Sequence, residues 1–324
     1  MQTLFQSSKA YRLIKTECQE NRLSHTYLLI CDDARNLRFV LKSFAKIFFL
    51  NDGTSQKQAQ RIEKLIDEES FSDCLIYPEA DKKLKVEDAE KILEESVLTP
   101  VEGDKKLFVI GDFAEANIQT QNKLLKHLEE PPKGVYFLLG ATSAYSVLTT
   151  VLSRAKKLEI NEFSVEDVLQ ALMRIYGDKY DERTLSICAA ASDGNLGKAQ
   201  NMLEGGHYKS LLESAFSLCN SPSYELPVLI KQIGEIKRQK EFLSILRIIF
   251  RDALVIKTQG KSMVKALLLK AEKENLENVA NQYSVRALLM AQEYISNAEK
   301  QIFTNAAFGQ CVEICIAKIK KENQ

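Results

Sequence analysis

Asn122-Lys123-Leu124-Leu125-Lys126-His127-Leu128-Glu129-Glu130-Pro131-Pro132, with the apolar run Val135-Tyr136-Phe137-Leu138-Leu139 close behind it, is the stretch on which the fold turns. Its leucines recur at helical spacing, so a helix is expected over Ile118–Glu130. Two successive prolines then remove the N–H groups that the next turn would need, and the helix must stop. A five-residue apolar run after such a stop has strand length.

The same alternation extends outward in both directions. Short apolar runs at Tyr27–Cys31, Cys74–Tyr77, Leu107–Ile110 and Lys157–Ile160 are separated by segments of helix length. One of these, Val86–Leu98, is closed by Thr99-Pro100. Repeated strand-then-helix order implies an α/β domain, a parallel sheet covered on both faces. Beyond it the punctuation changes. All six prolines lie at or before Pro227, and the last 97 residues hold only Gly234, Gly260 and Gly309. A long Pro-free stretch with 3.6-residue patterning reads as an all-α bundle. One apolar stripe there is Phe242, Leu246, Ile249, Ala253 and Ile256, with Ser244, Arg247 and Arg251 expected on the opposite side. Between these parts, Ser164 opens a small helical segment as an N-cap and Gly205-Gly206 closes it. Three domains are therefore expected: residues 1–162, 163–206 and 207–324.

Composition excludes several classes of function. The 324 residues balance 44 Lys and Arg against 44 Asp and Glu, so no global basic charge argues for nucleic acid. No 18-residue apolar run signals a membrane span, and Met1–Leu23 lacks the apolar segment of a signal peptide. The seven cysteines are scattered without any C-x-x-C, which points to reduced thiols, a cytoplasmic location and no metal. Cys311 and Cys315 stand at i, i+4, but they share an apolar stripe with Phe308 and Ile319, so core packing is the expectation. His25, His127 and His207 are isolated in sequence, and no nucleophile–base signature accompanies them.

In an open α/β sheet the loop after the first strand is the natural phosphate site. Here it reads Cys31-Asp32-Asp33-Ala34-Arg35-Asn36-Leu37-Arg38. A phosphate cradle needs glycines for close backbone approach and a Lys for the β/γ charge. The loop has neither, and two adjacent carboxylates would repel a polyanion. At the end of the third strand the first position for a Mg²⁺-binding acid is Gly111, leaving Asp112 alone at the second. An enzyme is thus disfavoured on chemical grounds.

The run from Asn122 to Pro132, then Val135–Leu139, Ala141-Thr142 and Leu152-Ser153-Arg154, resembles the sliding-clamp loader subunits of the AAA+ class. Their N-x-L-L-K-x-L-E-E-P-P helix precedes a sensor-1 strand and a Ser-Arg-Cys motif. Upstream, His25-Thr26-Tyr27-Leu28-Leu29 is similar to that family's first strand. A gap-free match of the following loop places Ala34 and Asn36 on P-loop glycines, Leu37 on the Lys and Arg38 on the Ser/Thr. Downstream, Ser192–Ala199 resembles the lid segment, with Gly197 where active members carry a sensor-2 Arg. Ala155 departs from the motif's Cys, and Phe48–Phe71 lacks the cysteines of the zinc module found in many members.

The resemblance implies a catalytically silent subunit of the bacterial DNA polymerase III loader. Such a subunit binds no cofactor and offers Arg154, beside Ser153, as an arginine finger to ATP held by a neighbour. It implies partnership with motor and delta-type subunits through a helical collar and the edge of the AAA+ domain. The sliding clamp and primed DNA would be met through the complex. The alternatives are a working ATPase motor of the same family and a helical scaffold unrelated to replication. Arg154 could instead hold a surface salt bridge, and Thr142 could be a remnant that bonds only its own loop. Eleven Lys and Arg against four Asp and Glu over 231–273 could face DNA or form an ordinary solvated surface. Metal analysis of protein purified without chelator should find well under one zinc per chain. A full equivalent would mean that Cys311 and Cys315, or ligands elsewhere in the chain, bind metal rather than pack.

Overall fold

Each of the five apolar runs becomes a strand, and two of the helices between them, ending at Ser96 and Glu129, stop ahead of prolines. In the computed structural model, which describes residues 1–50, 53–259 and 266–323, the chain divides into two units, Met1–Glu162 and Phe163–Gln324. The first unit begins with α1 (Gln2–Gln6), α2 (Lys9–Gln19), β1 (Thr26–Cys31), α3 (Leu37–Phe49), α4 (Gln56–Asp67) and β2 (Cys74–Tyr77). It continues with α5 (Val86–Ser96), β3 (Lys106–Ile110), α6 (Ile118–Glu129), β4 (Val135–Ala141), α7 (Thr149–Leu152) and β5 (Lys156–Ile160).

All strands are parallel, in the order β2-β3-β4-β1-β5. Leu28 lies opposite Leu139 on one side and Lys157 on the other, so β1 runs between the central β4 and the edge strand β5. Leu28, Phe108, Ile110, Phe137 and Leu139 are fully buried, and Leu124 and Leu128 of α6 join the same core. Strands covered on both faces need not alternate, which is why they read as continuous apolar runs. β4 runs two residues past the expected Leu139, because Gly140 and Ala141 still pair with Leu29 and Ile30. α5 stops at Ser96, short of the expected Leu98, which is left half exposed.

The end of α6 carries the most consequential local constraint. Glu130 N–H still reaches Lys126 O at 2.9 Å, but the next two residues are prolines. The carbonyl of Leu128 therefore has no backbone donor four residues on. The Thr26 hydroxyl supplies one from the start of β1, at 2.8 Å in a buried position. The end of α6 and the start of β1 are thereby tied together.

The second unit is helical: α8 (Val165–Tyr176), α9 (Glu182–Ala191), α10 (Leu196–Gly205), α11 (Tyr208–Asn220), α12 (Leu226–Gly234), α13 (Gln239–Gln259), α14 (Lys273–Gln282), α15 (Val285–Phe303) and α16 (Phe308–Lys321). Ser164 caps α8 by accepting from Asp167 N, and Gly206 ends α10 in the left-handed region, at φ 65°. α13 is the spine, packed against α9, α11, α14 and α15. Its stripe of Phe242, Leu246, Ile249 and Ala253 is fully buried. Ser244 departs from its expected solvent-facing place: it is buried, and its hydroxyl bonds the Asp193 carboxylate at 3.0 Å. A long-range polar partner let a small hydroxyl turn inward. Cys311 and Cys315 are buried in the core of α16, and burial pushes the Cys315 thiol up to about 12. Among the described residues, no helix is long and apolar enough to cross a membrane.

Thr26→Val should cost about 1–3 kcal/mol, the penalty for a buried carbonyl left without a donor. Thr26→Ser, which keeps the hydroxyl, should cost less. Urea unfolding of both variants checks the order; equal losses would assign the effect to packing alone.

Candidate functional site

The chain leaves β1 for a strand on one side of it, while β5 lies on the other, so the crevice beyond Cys31 is the topological switch point. The N-terminus of α3 opens there, with N–H groups and dipole suited to an anion. A protein carboxylate already sits in that turn. Asp33 is buried, and its Oδ1 accepts from Asn36 N at 3.1 Å while Oδ2 accepts from Asn36 Nδ2 at 2.7 Å. Cys31, Asn36 and Leu37 are also buried, whereas Asp32 and Ala34 are exposed. Leu37, in the Lys position of the match, thus serves as a core residue.

Arg38 turns across the strand ends. Its Nε donates to Glu69 Oε1 at 2.7 Å and its Nη1 to the Pro78 carbonyl at 2.8 Å, while Nη2 pairs with Glu69 Oε2. This guanidinium, with Lys42, holds the Glu69 carboxyl down at about 2. A Cβ placed on Gly111 would lie 4.0 Å from Arg38 Nη1. A fixed cation therefore borders the position where an acid would hold Mg²⁺.

Asp112 and Thr142 do come together at the ends of β3 and β4. The Thr142 backbone N–H bonds the Asp112 carboxylate, and Asp112 itself sits at φ 28°. Its Oδ1 is buried without a hydrogen-bond partner among the described residues. Burial, reinforced by Glu115, raises its pKa despite the Thr142 bond and Lys83. One strained, half-buried acid is a weak cation ligand, and the described residues contain no group of three or more His, Cys, Asp or Glu suited to a metal.

Arg154 stands at another edge of the same unit. Its Nε donates to Glu129 Oε2 at 2.8 Å, and its Nη1 to Thr150 O at 3.0 Å and to Ser153 Oγ at 3.3 Å. Its side chain is 32% exposed. The short helix α7 just before it is pinned by the fully buried Val151 and by Gln121. Gln121, itself buried, donates to Ala116 O and Ser146 O and accepts from Leu148 N. Neither Gln121 nor the pairing of Glu129 was foreseen from sequence. Glu129 is legible only as part of the Asn122–Pro132 run, and Gln121 carries no local signal.

In the second unit, Gly197 lies buried in the first turn of α10, which Asn195 caps by accepting from Lys198 N. Several basic residues of 231–273 are engaged within the fold: Arg238 with Glu241, Arg247 with Glu299, Arg251 with Asp252 and Lys273 with Glu277. Lys261 and Lys265 of that stretch lie outside the described residues.

The raised pKa of Asp112 means that its ionisation disfavours the fold. Its own contribution to stability is greatest in acid, falls as pH rises through the ordinary and then the raised pKa, and stays reduced above. Asp112→Asn should therefore melt higher than the parent at neutral pH, with the gap closing as the parent's acid is protonated. A variant that melts lower at neutral pH would reverse the sign.

Residues 6–164 match the family described as DNA polymerase III, delta subunit. The gamma subunit of DNA polymerase III from Buchnera aphidicola subsp. Schizaphis graminum is 31% identical over 153 residues, covering 46% of this chain and 42% of that protein. The delta-prime subunit from Bacillus subtilis is 27% identical over 151 residues, with 46% of each chain covered. The tau subunit from Escherichia coli is 31% identical over 133 residues, 40% of this chain and 21% of its own length. The chain spans between 21% and 50% of the length of the first curated relatives it matches. Among solved structures, a gamma subunit-related protein from Thermotoga maritima aligns over 96% of this chain and 99% of its own, at 14% identity and a TM-score of 0.41. The N-terminal unit is thus similar to the DNA polymerase III delta-subunit family, and gamma, tau and delta-prime subunits of that polymerase are among its relatives.

Proposed function

We propose that this chain is the delta-prime-type subunit of a clamp loader. It is a cytoplasmic replication protein that hydrolyses no ATP itself and supplies Arg154 to ATP held by a neighbouring motor subunit. One observation carries the reading: the loop where a triphosphate would sit is filled by this chain's own groups. Asp33 occupies the turn before α3, Leu37 is buried in the Lys position, and Arg38 borders the metal position. At another edge of the unit, Ser153-Arg154 follows a short helix that buried groups hold in place. A finger given in trans needs only a planar guanidinium at a subunit edge.

In this reading the 163–206 helices act as the lid and 207–324 as the oligomerising collar. The partners are motor and delta-type subunits of the polymerase III holoenzyme, with sliding clamp and primed DNA met through the complex. The competing reading is a motor subunit, favoured by the 31% identity to gamma and tau subunits.

Calorimetry with ATP and Mg²⁺ separates the two. The delta-prime reading expects no heat up to millimolar nucleotide, and a micromolar dissociation constant would establish the motor. In a loader reconstituted with its P-loop-bearing subunits, Arg154→Ala should assemble normally yet lower clamp- and DNA-stimulated hydrolysis. Fingers of this kind are worth about 10³-fold or more at their own site, but other sites keep turning over, so the total loss is partial. Arg154→Lys should rescue poorly, because a point charge does not reproduce the fork. Unchanged turnover and clamp loading by Arg154→Ala would sink the finger role.

A further inference from the structure

We infer that Glu129 is the positioning residue for Arg154, fixing the plane and direction in which the guanidinium is presented. This rests on the reading of Arg154 as a finger. The two residues are 25 positions apart, and each is carried by a backbone end that buried groups hold still. Glu129 closes α6, directly after Leu128, whose side chain is in the core and whose carbonyl is bound by Thr26. Arg154 follows α7, where Val151 is fully buried and accepts the Arg154 N–H at 3.0 Å.

Between these two ends the guanidinium is held at three points. The Glu129 carboxylate takes Nε, and Thr150 O and Ser153 Oγ take Nη1. Ser153 Oγ is itself directed by donating to Thr150 O at 3.1 Å. Nη2 makes no hydrogen bond with the described residues. An arginine has five N–H donors in a rigid fork. Tying Nε and Nη1 fixes the plane of the fork, which leaves Nη2 to donate to an anionic oxygen outside the chain. A preset direction matters because a donor helps a transition state only if no reorganisation is left to do when charge develops. Exposure of the Glu129 carboxylate, at 51%, argues against a main role in stability, since exposed pairs contribute little to folding.

The test is a double-mutant cycle in the reconstituted loader, with ATP, clamp and primed DNA. It measures kcat and KM for ATP together with melting of the isolated subunit. Glu129→Ala should melt like the parent, leave KM for ATP unchanged and lower kcat by less than Arg154→Ala does. Glu129→Gln, which keeps the acceptor, should recover part of the loss. In an Arg154→Ala background, Glu129→Ala should cause no further drop, because its effect runs through the arginine. If Arg154→Ala lowers turnover and Glu129→Ala does not, the positioning role is wrong and the finger stands. Additive losses would place Glu129 in some other task, and a rise in turnover would make it a competitor that restrains Arg154; either overturns the inference. If Arg154→Ala itself is without effect, the finger reading fails and this one fails with it.

Discussion

Two prolines in succession cannot return hydrogen bonds to the helix they end. At Pro131-Pro132 this shortage has to be met from elsewhere, and Thr26 meets it from the first position of β1. The bond sets where α6 stops relative to β1, and much of the N-terminal unit follows from that. β4 begins a few residues later beside β1, α6 buries Leu124 and Leu128 against the sheet, and Glu129 emerges at a fixed place. Gln121, one face round the same helix, then fastens the segment leading into α7. A single helix thus anchors both the core and the edge that bears Arg154.

The strands were legible because a parallel sheet buried on both faces writes itself as unbroken apolar runs, and prolines marked where helices had to end. Boundaries slipped by a residue or two where the deciding factor was a pairing partner, as at Gly140 and Ala141. Side chains that answer to distant residues were not legible at all. Arg38 was read as a displaced P-loop hydroxyl position, whereas its place is set by Glu69, 31 residues away, and by the Pro78 carbonyl. Ser244 looked like solvent-face filler until Asp193 drew it inward. Glu129 lay in plain view within the most informative motif of the chain, but nothing in its neighbours named Arg154 as its partner. Local pattern specifies backbone; a bond across 25 residues does not register in it.

Electrostatics at the strand ends shows how one scaffold can hold opposite requirements. Around β1 and β3 the chain satisfies its own charges: Asp33 within the α3 turn, and Arg38 between Glu69 and a carbonyl. Around α7 it leaves an arginine only partly satisfied. Closing a site and presenting a donor are both matters of where hydrogen-bond capacity is used up. Asp112 is the exception, a carboxylate with one oxygen still unserved and a backbone angle that costs energy.

The self-filled loop has a consequence for single substitutions. Putting a lysine back at position 37 would bury a cation in the apolar slot that Leu37 occupies, with no phosphate yet able to neutralise it. Putting an acid back at 111 would only recruit Arg38, already at hand, in place of a metal ion. Introducing glycines at 34 and 36 would remove Asn36, which Asp33 bonds twice, before any nucleotide could compensate. Each single step toward a phosphate cradle is therefore unfavourable alone, and only several taken together would help. A phosphate cradle therefore lies several simultaneous substitutions away from this loop, not one.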